Sequence, residues 1–243
     1  MTTRAQFLDR IRAEMGKTRG SFPSRVSERP ARPVEAADII RRQLAERWPD
    51  TLERFRTEFE RVGGVFHRVA TASDIPRAVG AIARERDARD LVAWHAAGIG
   101  ADVEAGLVSE GLAVRAVSLG ATDAERRELR AASATAALGL TGVDLAIAEM
   151  GTMVLRSGAG RPRSTSLLPP CHVAVFDPSV LVESLEQAGV FLEAWHAEGG
   201  DWGAMINFIT GPSRTADIEL TLTRGVHGPK EVHAVFVEGG LRG

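Results

Sequence analysis

Residues 65–96, VFHRVATASDIPRAVGAIARERDARDLVAWHA, decide the fold class of this 243-residue chain. The apolar residues at 65–70 and 90–96 have the compact spacing of strands, whereas those at 73–88 recur at helical spacing. A strand, a helix and a second strand in this order are typical of a sheet wrapped by helices. We therefore predict an α/β fold, built on an open, mostly parallel sheet with helices on both faces.

The alternation of helices and strands continues on both sides of this stretch. Three further helices are predicted, at residues 36–47, 51–62 and 122–138. Four further strands are predicted, at residues 111–120, 172–176, 206–211 and 231–239. Capping boxes are expected at two helix starts, with Asp50 and Glu53 at one and Thr122 and Glu125 at the other.

Two segments in the second half of the chain add detail to this alternation of helices and strands. Residues 142–158 predict two strands that are joined at Glu149-Met150-Gly151 as antiparallel neighbours. The next apolar strand ends at Asp177, which is the predicted N-cap of a helix that begins at Pro178 and reaches Gln187.

The first 35 residues form a separate predicted unit. Thr3 and Gln6 predict a capping box that opens a short amphipathic helix. The segment from Gly16 to Pro33 is rich in Gly, Pro and Ser and carries five basic residues against one acid, which indicates an extended basic linker. We predict an N-terminal helix and linker at residues 1–35 and one α/β domain at residues 36–243.

Composition and charge exclude several classes of protein. Hydrophobic residues make up 44% and charged residues 26% of the chain, the usual balance of a folded globular protein. The formal net charge of −2 is too small to indicate a nucleic acid or a membrane surface as a partner. Neither a secretory signal nor a long apolar run occurs, so we expect a cytoplasmic protein without a membrane span. The single cysteine, Cys171, excludes an internal disulfide and cannot by itself hold an iron–sulfur cluster.

The segment GPSRTADIE, which begins at Gly211, contains the first group of candidate site residues. Gly211 allows close backbone approach, and Ser213 or Thr215 can cap a short helix whose free amide groups attract anions. Arg214 adds a planar guanidinium fork for a carboxylate or a phosphate. Asp217 either complements the helix dipole or acts as an acid or base.

The turn GVHGPK contains the second group. His227 lies between two glycines, where its imidazole is reachable, and Lys230 follows the proline. The imidazole is either a catalytic group or a side chain within a turn whose hydrogen bonds are made to the backbone. We predict Gly228 and Lys230 as ligand-binding residues beside it.

A carboxylate and two arginines complete the candidates. Glu149 ends an apolar strand beside Gly151 and Thr152, and it is either a catalytic carboxylate or a solvated acid. Arg161 and Arg163 flank a proline in a loop and are suited to clamp an acidic group.

Other kinds of site lack the required spacing. His172, His227 and His233 form no HxxxH or HxH pattern, so we predict no metal site. No GxSxG nucleophile elbow and no GxGxxG or GxxxxGK[ST] nucleotide motif occurs.

The ordered set GVDLAIAEMGTMVL, SLLPPCHVAVF, GPSRTADIE and GVHGPKEVH resembles the LUD-domain family, and within it the lactate utilization C group. The resemblance is dense in the second half of the chain and extends to the first half by element order. It implies a fold like that of the phosphosugar isomerases, the CoA-transferases and formyltetrahydrofolate cyclo-ligase. Glu149, Gly151 and Thr152 fit the pattern of the family, whereas Met150 stands where the family often has a smaller polar residue.

The resemblance also implies a function. Together with two partner proteins, at least one of which carries iron–sulfur clusters, such a chain supports the oxidation of L-lactate to pyruvate. It implies that this chain is a non-redox subunit of the lactate-oxidising complex and holds no cofactor of its own.

The resulting hypothesis is that the two Gly-Pro turns converge on one pocket for a small anionic ligand. The predicted catalytic residues are Glu149 and His227. The predicted ligand-binding residues are Gly151, Thr152, Arg163, Gly211, Ser213, Arg214, Thr215, Asp217, Gly228 and Lys230. Two alternatives stay open, a stand-alone enzyme acting on a CoA thioester, nucleotide or phosphorylated metabolite, and a regulatory module that binds an organic acid. Assembly of the chain as a homo-oligomer is open as well.

Overall fold

The computed structural model describes residues 3–18, 30–120, 122–199, 203, 205–215 and 223–241. Its helices are α1 (Arg4–Thr18), α2 (Pro33–Ala45), α3 (Trp48–Arg61), α4 (Ile75–Arg84), α5 (Ala96–Ile99), α6 (Glu104–Ser109), α7 (Asp123–Thr135), α8 (Ser164–Leu167) and α9 (Leu185–Glu198). Its strands are β1 (Val65–Val69), β2 (Asp90–Ala93), β3 (Ala113–Ala116), β4 (Leu138–Gly142), β5 (Leu145–Ile147), β6 (Thr152–Arg156), β7 (Cys171–Phe176), β8 (Leu181–Val182), β9 (Ile206–Ile209), β10 (Arg214–Thr215), β11 (Thr223–Arg224) and β12 (Glu231–Val237). Within these ranges, every helix is too short or too polar to cross a membrane.

Six strands form a parallel sheet in the order β1-β12-β7-β4-β2-β3. Helices cover both of its faces, as the neighbours Cys171 and His172 of β7 show. Cys171 pairs in register with Glu231, which binds Arg86 just beyond α4. His172 points to the opposite face, because side chains alternate along a strand, and α8 packs on β4 and β7 there. The predicted open, mostly parallel sheet with helices on both faces is confirmed.

A second sheet, of four strands in the order β8-β5-β6-β9, was not predicted. Its strands β5 and β6 are the antiparallel neighbours expected within residues 142–158. A 3-10 turn at Ala148–Met150 joins them, and Gly151 follows in the left-handed region at φ 57°. A side chain on Gly151 would also lie 2.3 Å from the amide nitrogen of Phe59, so only glycine lets α3 approach this turn.

Aromatic side chains join α3 to the parallel sheet. Phe55 and Phe59 stack at 5.4 Å, and Phe55 meets Phe176 of β7 edge-on at 5.2 Å. Phe176 in turn lies 5.4 Å from Phe236 of β12, and all four rings are fully buried. Burying each such side chain contributes about 1.5–3 kcal/mol relative to exposure, so this cluster holds α3 against the sheet.

The strand β4 was missed because its sequence resembles the end of the preceding helix. The prediction carried that helix to Leu138, whereas α7 ends at Thr135. The two glycines of β4 are needed where other backbones come close. A side chain at Gly139 would lie 1.8 Å from the carbonyl oxygen of Thr165, and one at Gly142 would lie 2.2 Å from a backbone carbonyl of α5.

The helix predicted from Pro178 to Gln187 is also wrong. Asp177 does act as an N-cap, but only for a 3-10 turn at Pro178–Val180. The chain then pairs with β5 as β8, and α9 begins afterwards with Ser184 as its N-cap. The need to pair with β5 interrupts the helix.

Of the two predicted capping boxes in the domain, one is confirmed. Thr122 and Glu125 exchange the expected side-chain bonds at the start of α7. Asp50 is not an N-cap, because α3 already begins at Trp48 and Asp50 lies in its first turn.

At the N-terminus, Thr3 and Gln6 form the predicted capping box ahead of α1. Residues 19–29 of the predicted basic linker lie outside the described residues. The proposed domain boundary after residue 35 stays a prediction.

Candidate functional site

The two Gly-Pro turns pack against each other through Ser213. The amide of Ser213 donates to the carbonyl of Pro229 at 2.9 Å, and its carbonyl accepts from the amide of Gly225 at 3.0 Å. Its hydroxyl accepts from the amide of His227 at 3.3 Å. A side chain on Gly228 would lie 3.4 Å from Cβ of Ser213. The structure thus brings Ser213, His227 and Gly228 together, and Ser213 holds the two turns through its backbone and its hydroxyl.

The other residues of these turns lie at the amino-terminal edge of the parallel sheet. The amide of Lys230 donates to the carbonyl of Pro170 at 2.8 Å, directly before β12 and β7. The guanidinium of Arg214 lies beside Gly63, which precedes β1, and Gly211 packs on the end of α3. In open α/β sheets, ligands gather at the opposite, carboxyl edge. These turns therefore lie away from the carboxyl ends of the parallel strands, where ligands usually bind, and their ligand-binding role stays a prediction.

The helix expected to start near Ser213 is replaced by a short strand. Arg214 and Thr215 form β10, which pairs antiparallel with β11. The helix start predicted at these residues is therefore wrong, and the ligand-binding role of Arg214 and Thr215 stays a prediction. Asp217 lies outside the described residues.

Gly151 and Thr152 lie next to the first of these turns. The hydroxyl of Thr152 is 2.7 Å from the hydroxyl of Thr210, which directly precedes Gly211. The pairing of β6 with β9 creates this contact. Thr152 is fully buried, so its hydroxyl joins the two strands.

Glu149 caps helix α9. Its Oε1 accepts a hydrogen bond from the amide of Leu185 at 2.5 Å, and its own amide donates to the carbonyl of Glu183 at 3.1 Å. A carboxylate stabilises a helix N-terminus by charge and by hydrogen bonding. The structure assigns this carboxylate to capping, and its contacts give the predicted catalytic role no support.

A better candidate for the functional site lies where the direction of the chain reverses, between β2 and β4. From β2 the chain moves outward to β3, and from β4 it moves the other way to β7, although β2 and β4 are neighbours. In open α/β sheets, the carboxyl ends of the strands at such a reversal form the ligand crevice. We therefore place the candidate functional site at this crevice.

The loop between β6 and β7 covers the crevice. The indole nitrogen of Trp94, directly after β2, donates to the carbonyl of Pro162 at 3.1 Å. The guanidinium of Arg161 lies 3.0 Å from the carboxylate of Asp144, just after β4. Arg156 binds the same carboxylate at 2.9 Å, so that two arginines share one largely buried acid.

His95 is the titratable residue closest in sequence to the end of β2. Its amide donates to the carbonyl of Gly160 at 2.9 Å, and its Nδ1 accepts from the amide of Ala97 at 3.2 Å. Because Nδ1 accepts, the neutral ring carries its proton on Nε2. The side chain is half-buried.

Beside the crevice, α7, the segment after β3 and the β6–β7 loop border an open groove of about 800 Å³, which we call the arginine groove. Four arginines line it, and no acidic residue does so among the described residues. The arginines and leucines that line the groove are Arg126, Arg130, Arg161, Arg163, Leu119, Leu129, Leu167 and Leu168. Arg163, predicted from the sequence to bind a ligand, is one of them.

A separate, partly buried chain of polar groups crosses β1 and β12. Arg86 binds Glu231 and lies 3.0 Å from Nε2 of His233, whose Nδ1 is 2.9 Å from Nε2 of His67. Burial and the charge of Arg86 lower the pKa of His233 to about 4. Burial raises the pKa of the Glu231 carboxyl, but the hydrogen bonds from Arg86 and His233 and their charges together outweigh it, so the pKa lies below the usual value.

The same cluster has ligand types that suit a metal ion. Ligand atoms of Cys171, Glu231 and His233 lie within 4.8 Å of one another. The guanidinium of Arg86 already binds two of these groups and supplies the positive charge that they face. We assign no metal to them. Burial raises the pKa of Cys171 to about 12, so its thiol is protonated at neutral pH.

Residues 52–237 match the LUD domain, from α3 to the end of β12. The chain belongs to the LUD domain family. Proteins named Lactate utilization protein C are among the relatives of this LUD protein. The one from Halalkalibacterium halodurans is 43% identical over 117 residues, which cover 48% of this chain and 50% of that protein. The one from Bacillus subtilis is 40% identical over 100 residues, 41% of this chain and 42% of that protein. The match thus spans about half the length of these relatives.

The LUD fold itself has a counterpart among solved structures. A crystal structure of a DUF162 family protein from Deinococcus radiodurans covers 78% of this chain and 98% of its own, with a TM-score of 0.54 and 19% identity. At this identity the likeness shows the fold alone.

Sequence reasoning missed His95, Arg126 and Arg130 of this LUD domain. His95 directly follows the apolar strand at 90–93. Because ligands gather at the carboxyl ends of strands in such sheets, this position could have been selected from the sequence. Arg126 and Arg130 carry a weaker signal, because one-turn spacing on a polar helix is also typical of a solvated face.

Proposed function

We propose that this LUD protein serves in the utilization of L-lactate, as a non-redox component of an assembly with iron–sulfur proteins that oxidises L-lactate to pyruvate. The observation that carries the proposal is the 40–43% identity to proteins named for lactate utilization. Oxidation of lactate releases two electrons and two protons, and the electrons require carriers. With one cysteine, this chain lacks the four thiolates that an iron–sulfur cluster usually takes, so iron–sulfur carriers of these electrons would belong to its partners.

The part of this chain in the assembly is to bind an anion in the arginine groove. The location supports this role, because the groove lies beside the reversal point of the parallel sheet, where such folds bind ligands. The charge supports it too, because guanidinium groups bind carboxylates and phosphates with paired hydrogen bonds.

Growth of the source organism without the gene tests the proposed role. We expect a deletion strain to grow on pyruvate and to fail on L-lactate as the carbon source, and the full-length gene to restore growth. Equal growth of the deletion and parent strains on L-lactate would overturn the proposal. Affinity purification of the tagged full chain from lactate-grown cells is expected to yield brown, iron-containing partner proteins.

A further inference from the structure

The charge of the arginine groove exceeds what one carboxylate can balance. Asp123 lies 3.9 Å from Arg126, and both of these side chains are largely exposed. Asp144, the acid at Arg161, is shared with Arg156, so that these three residues together carry a net positive charge. Arg130 and Arg163 make no ion pair in the part of the chain that the structure describes.

The groove is also too large for lactate. At about 800 Å³ it falls in the range of roughly 300–1,000 Å³ that is typical of sites for larger organic ligands. Lactate has a handful of non-hydrogen atoms and one charge, and it would leave most of the groove and of its guanidinium groups in contact with water. The occupant that matches both size and charge carries at least two negative charges on an extended molecule.

Apolar side chains line the same groove. Leu119 is 54% exposed and Leu168 is 46% exposed, although both are large hydrophobic residues. Leu129 of α7 lies between Arg126 and Arg130 in sequence and lines the groove with them. Exposed apolar side chains next to charged ones are typical of a site for a ligand with an apolar part.

A tight turn of the β6–β7 loop adds backbone donors. Gly158 and Arg161 exchange two backbone hydrogen bonds, of 3.1 and 3.0 Å, which place Ala159 and Gly160 at the apex. Gly160 has φ 69°, and the two apex residues line the groove. Consecutive amide groups in such a turn form a concavity that attracts anions.

We infer that the arginine groove binds an extended organic phosphate, whose phosphate groups bind the guanidinium groups and the glycine turn while its apolar part contacts Leu119 and Leu168. Phosphate is favoured over carboxylate because it presents several charged oxygens to several arginines at once. The inference rests on the proposed anion-binding role of the groove and names the class of its ligand. A nucleotide and a coenzyme A derivative share this chemistry, and the probes below distinguish them.

Calorimetric titration of the full-length protein tests the inference. The probes are ADP, coenzyme A, pyrophosphate, adenosine and L-lactate. We expect ADP or coenzyme A to bind, pyrophosphate to bind more weakly, and adenosine and L-lactate to give no signal. Arg130→Ala and Arg163→Ala should each lower the affinity roughly 10- to 100-fold, because each removes a charge-assisted contact.

Arg127→Ala is the matched control. Arg127 is exposed on the same helix, and its removal changes the net charge equally, but it does not line the groove. We expect it to leave the affinity within about twofold. Leu168→Ala should weaken binding of the organic phosphate and leave pyrophosphate binding unchanged.

Two results would overturn the inference. One is that neither ADP nor coenzyme A binds, and the other is that Arg127→Ala weakens binding as much as Arg163→Ala. If L-lactate alone binds and depends on Arg163, the ligand class is wrong while the proposed function stands. If the organic phosphates bind but the deletion strain grows on L-lactate, the proposed function fails and the ligand class stands.

Discussion

Nδ1 of His233 lies 2.9 Å from Nε2 of His67, and this contact fixes where the protons of the buried chain are. Arg86 lies 3.0 Å from Nε2 of His233 and can only donate, so Nε2 accepts. The neutral His233 ring therefore carries its proton on Nδ1 and donates it to His67. Protonation of His233 would put a proton on Nε2, which would then face the N–H donors of Arg86.

This arrangement predicts a loss of stability in mild acid. Burial, followed by the charge of Arg86, lowers the pKa of His233 from 6.5 to about 4 in the native state. Between these two pH values the unfolded chain binds a proton that the native chain does not, so stability is complete above pH 6.5 and falls as the pH drops toward 4. For one such histidine the loss amounts to about 3 kcal/mol.

Denaturant unfolding of wild type and His233→Gln at several pH values between 7 and 4 checks this prediction. The variant is expected to lose part of the pH dependence, whereas His227→Gln, at an exposed histidine, should retain it. An unchanged slope in His233→Gln would show that this residue titrates normally in the native state.

The thiol of Cys171 is expected to be inert in the folded protein. Burial raises its pKa to about 12, although the charge of Arg86 opposes the shift, so the reactive thiolate is scarce at pH 8. Iodoacetamide labelling followed by mass spectrometry should therefore be slow in buffer and fast in denaturant. Equally fast labelling under both conditions would contradict the buried position of Cys171.

Gly139 of β4 is predicted to be essential for packing of α8 on the sheet. A methyl group there would lie 1.8 Å from the carbonyl oxygen of Thr165, a backbone atom that cannot move aside. Gly139→Ala should destabilise the protein by about 3 kcal/mol or more. Gly189→Ala is the control, because Gly189 lies in α9 with open space around it, and it should stabilise by about 0.5–1 kcal/mol. Thermal unfolding of both variants measures the difference, and similar effects would contradict the close approach of α8.

Variants of Glu149 test whether its carboxylate caps helix α9 or takes part in catalysis. Glu149→Ala should cost about 1 kcal/mol of stability, because it removes the acceptor for the amide of Leu185. Glu149→Gln keeps an acceptor oxygen and should recover part of this loss. Chemical unfolding measures stability, and growth on L-lactate measures function. Normal stability of Glu149→Gln with complete loss of growth would show that the carboxylate has a chemical role instead.

Much of the architecture could be predicted from local pattern. The apolar runs of β7 and β12, the helical spacing of α4 and the hairpin at Glu149–Gly151 each carry their signal within a few residues. The strand β4 carries none, because it is buried throughout and its glycines meet backbones that are distant in sequence. The short strand β8 exists only because β5 lies beside it.

The candidate site was harder to predict than the fold. The Ser213–His227 contact follows from two turns that the sequence marks clearly, but which edge of the sheet they occupy depends on strand order. Strand order also decides that β2 and β4 are neighbours. The contact of His95 with Gly160 therefore joins β2 to a loop more than 60 residues away in sequence, which no local pattern reveals.

The central claim is that the arginine groove beside the β2–β4 crevice carries the function of this LUD protein. Its most direct test is growth on L-lactate of a deletion strain that expresses either the double variant Arg130→Ala/Arg163→Ala or the control Arg127→Ala, with equal protein levels verified. We expect the double variant to fail on L-lactate and to grow on pyruvate, and the control to grow on both. Growth of the double variant on L-lactate at the rate of the control would contradict the claim.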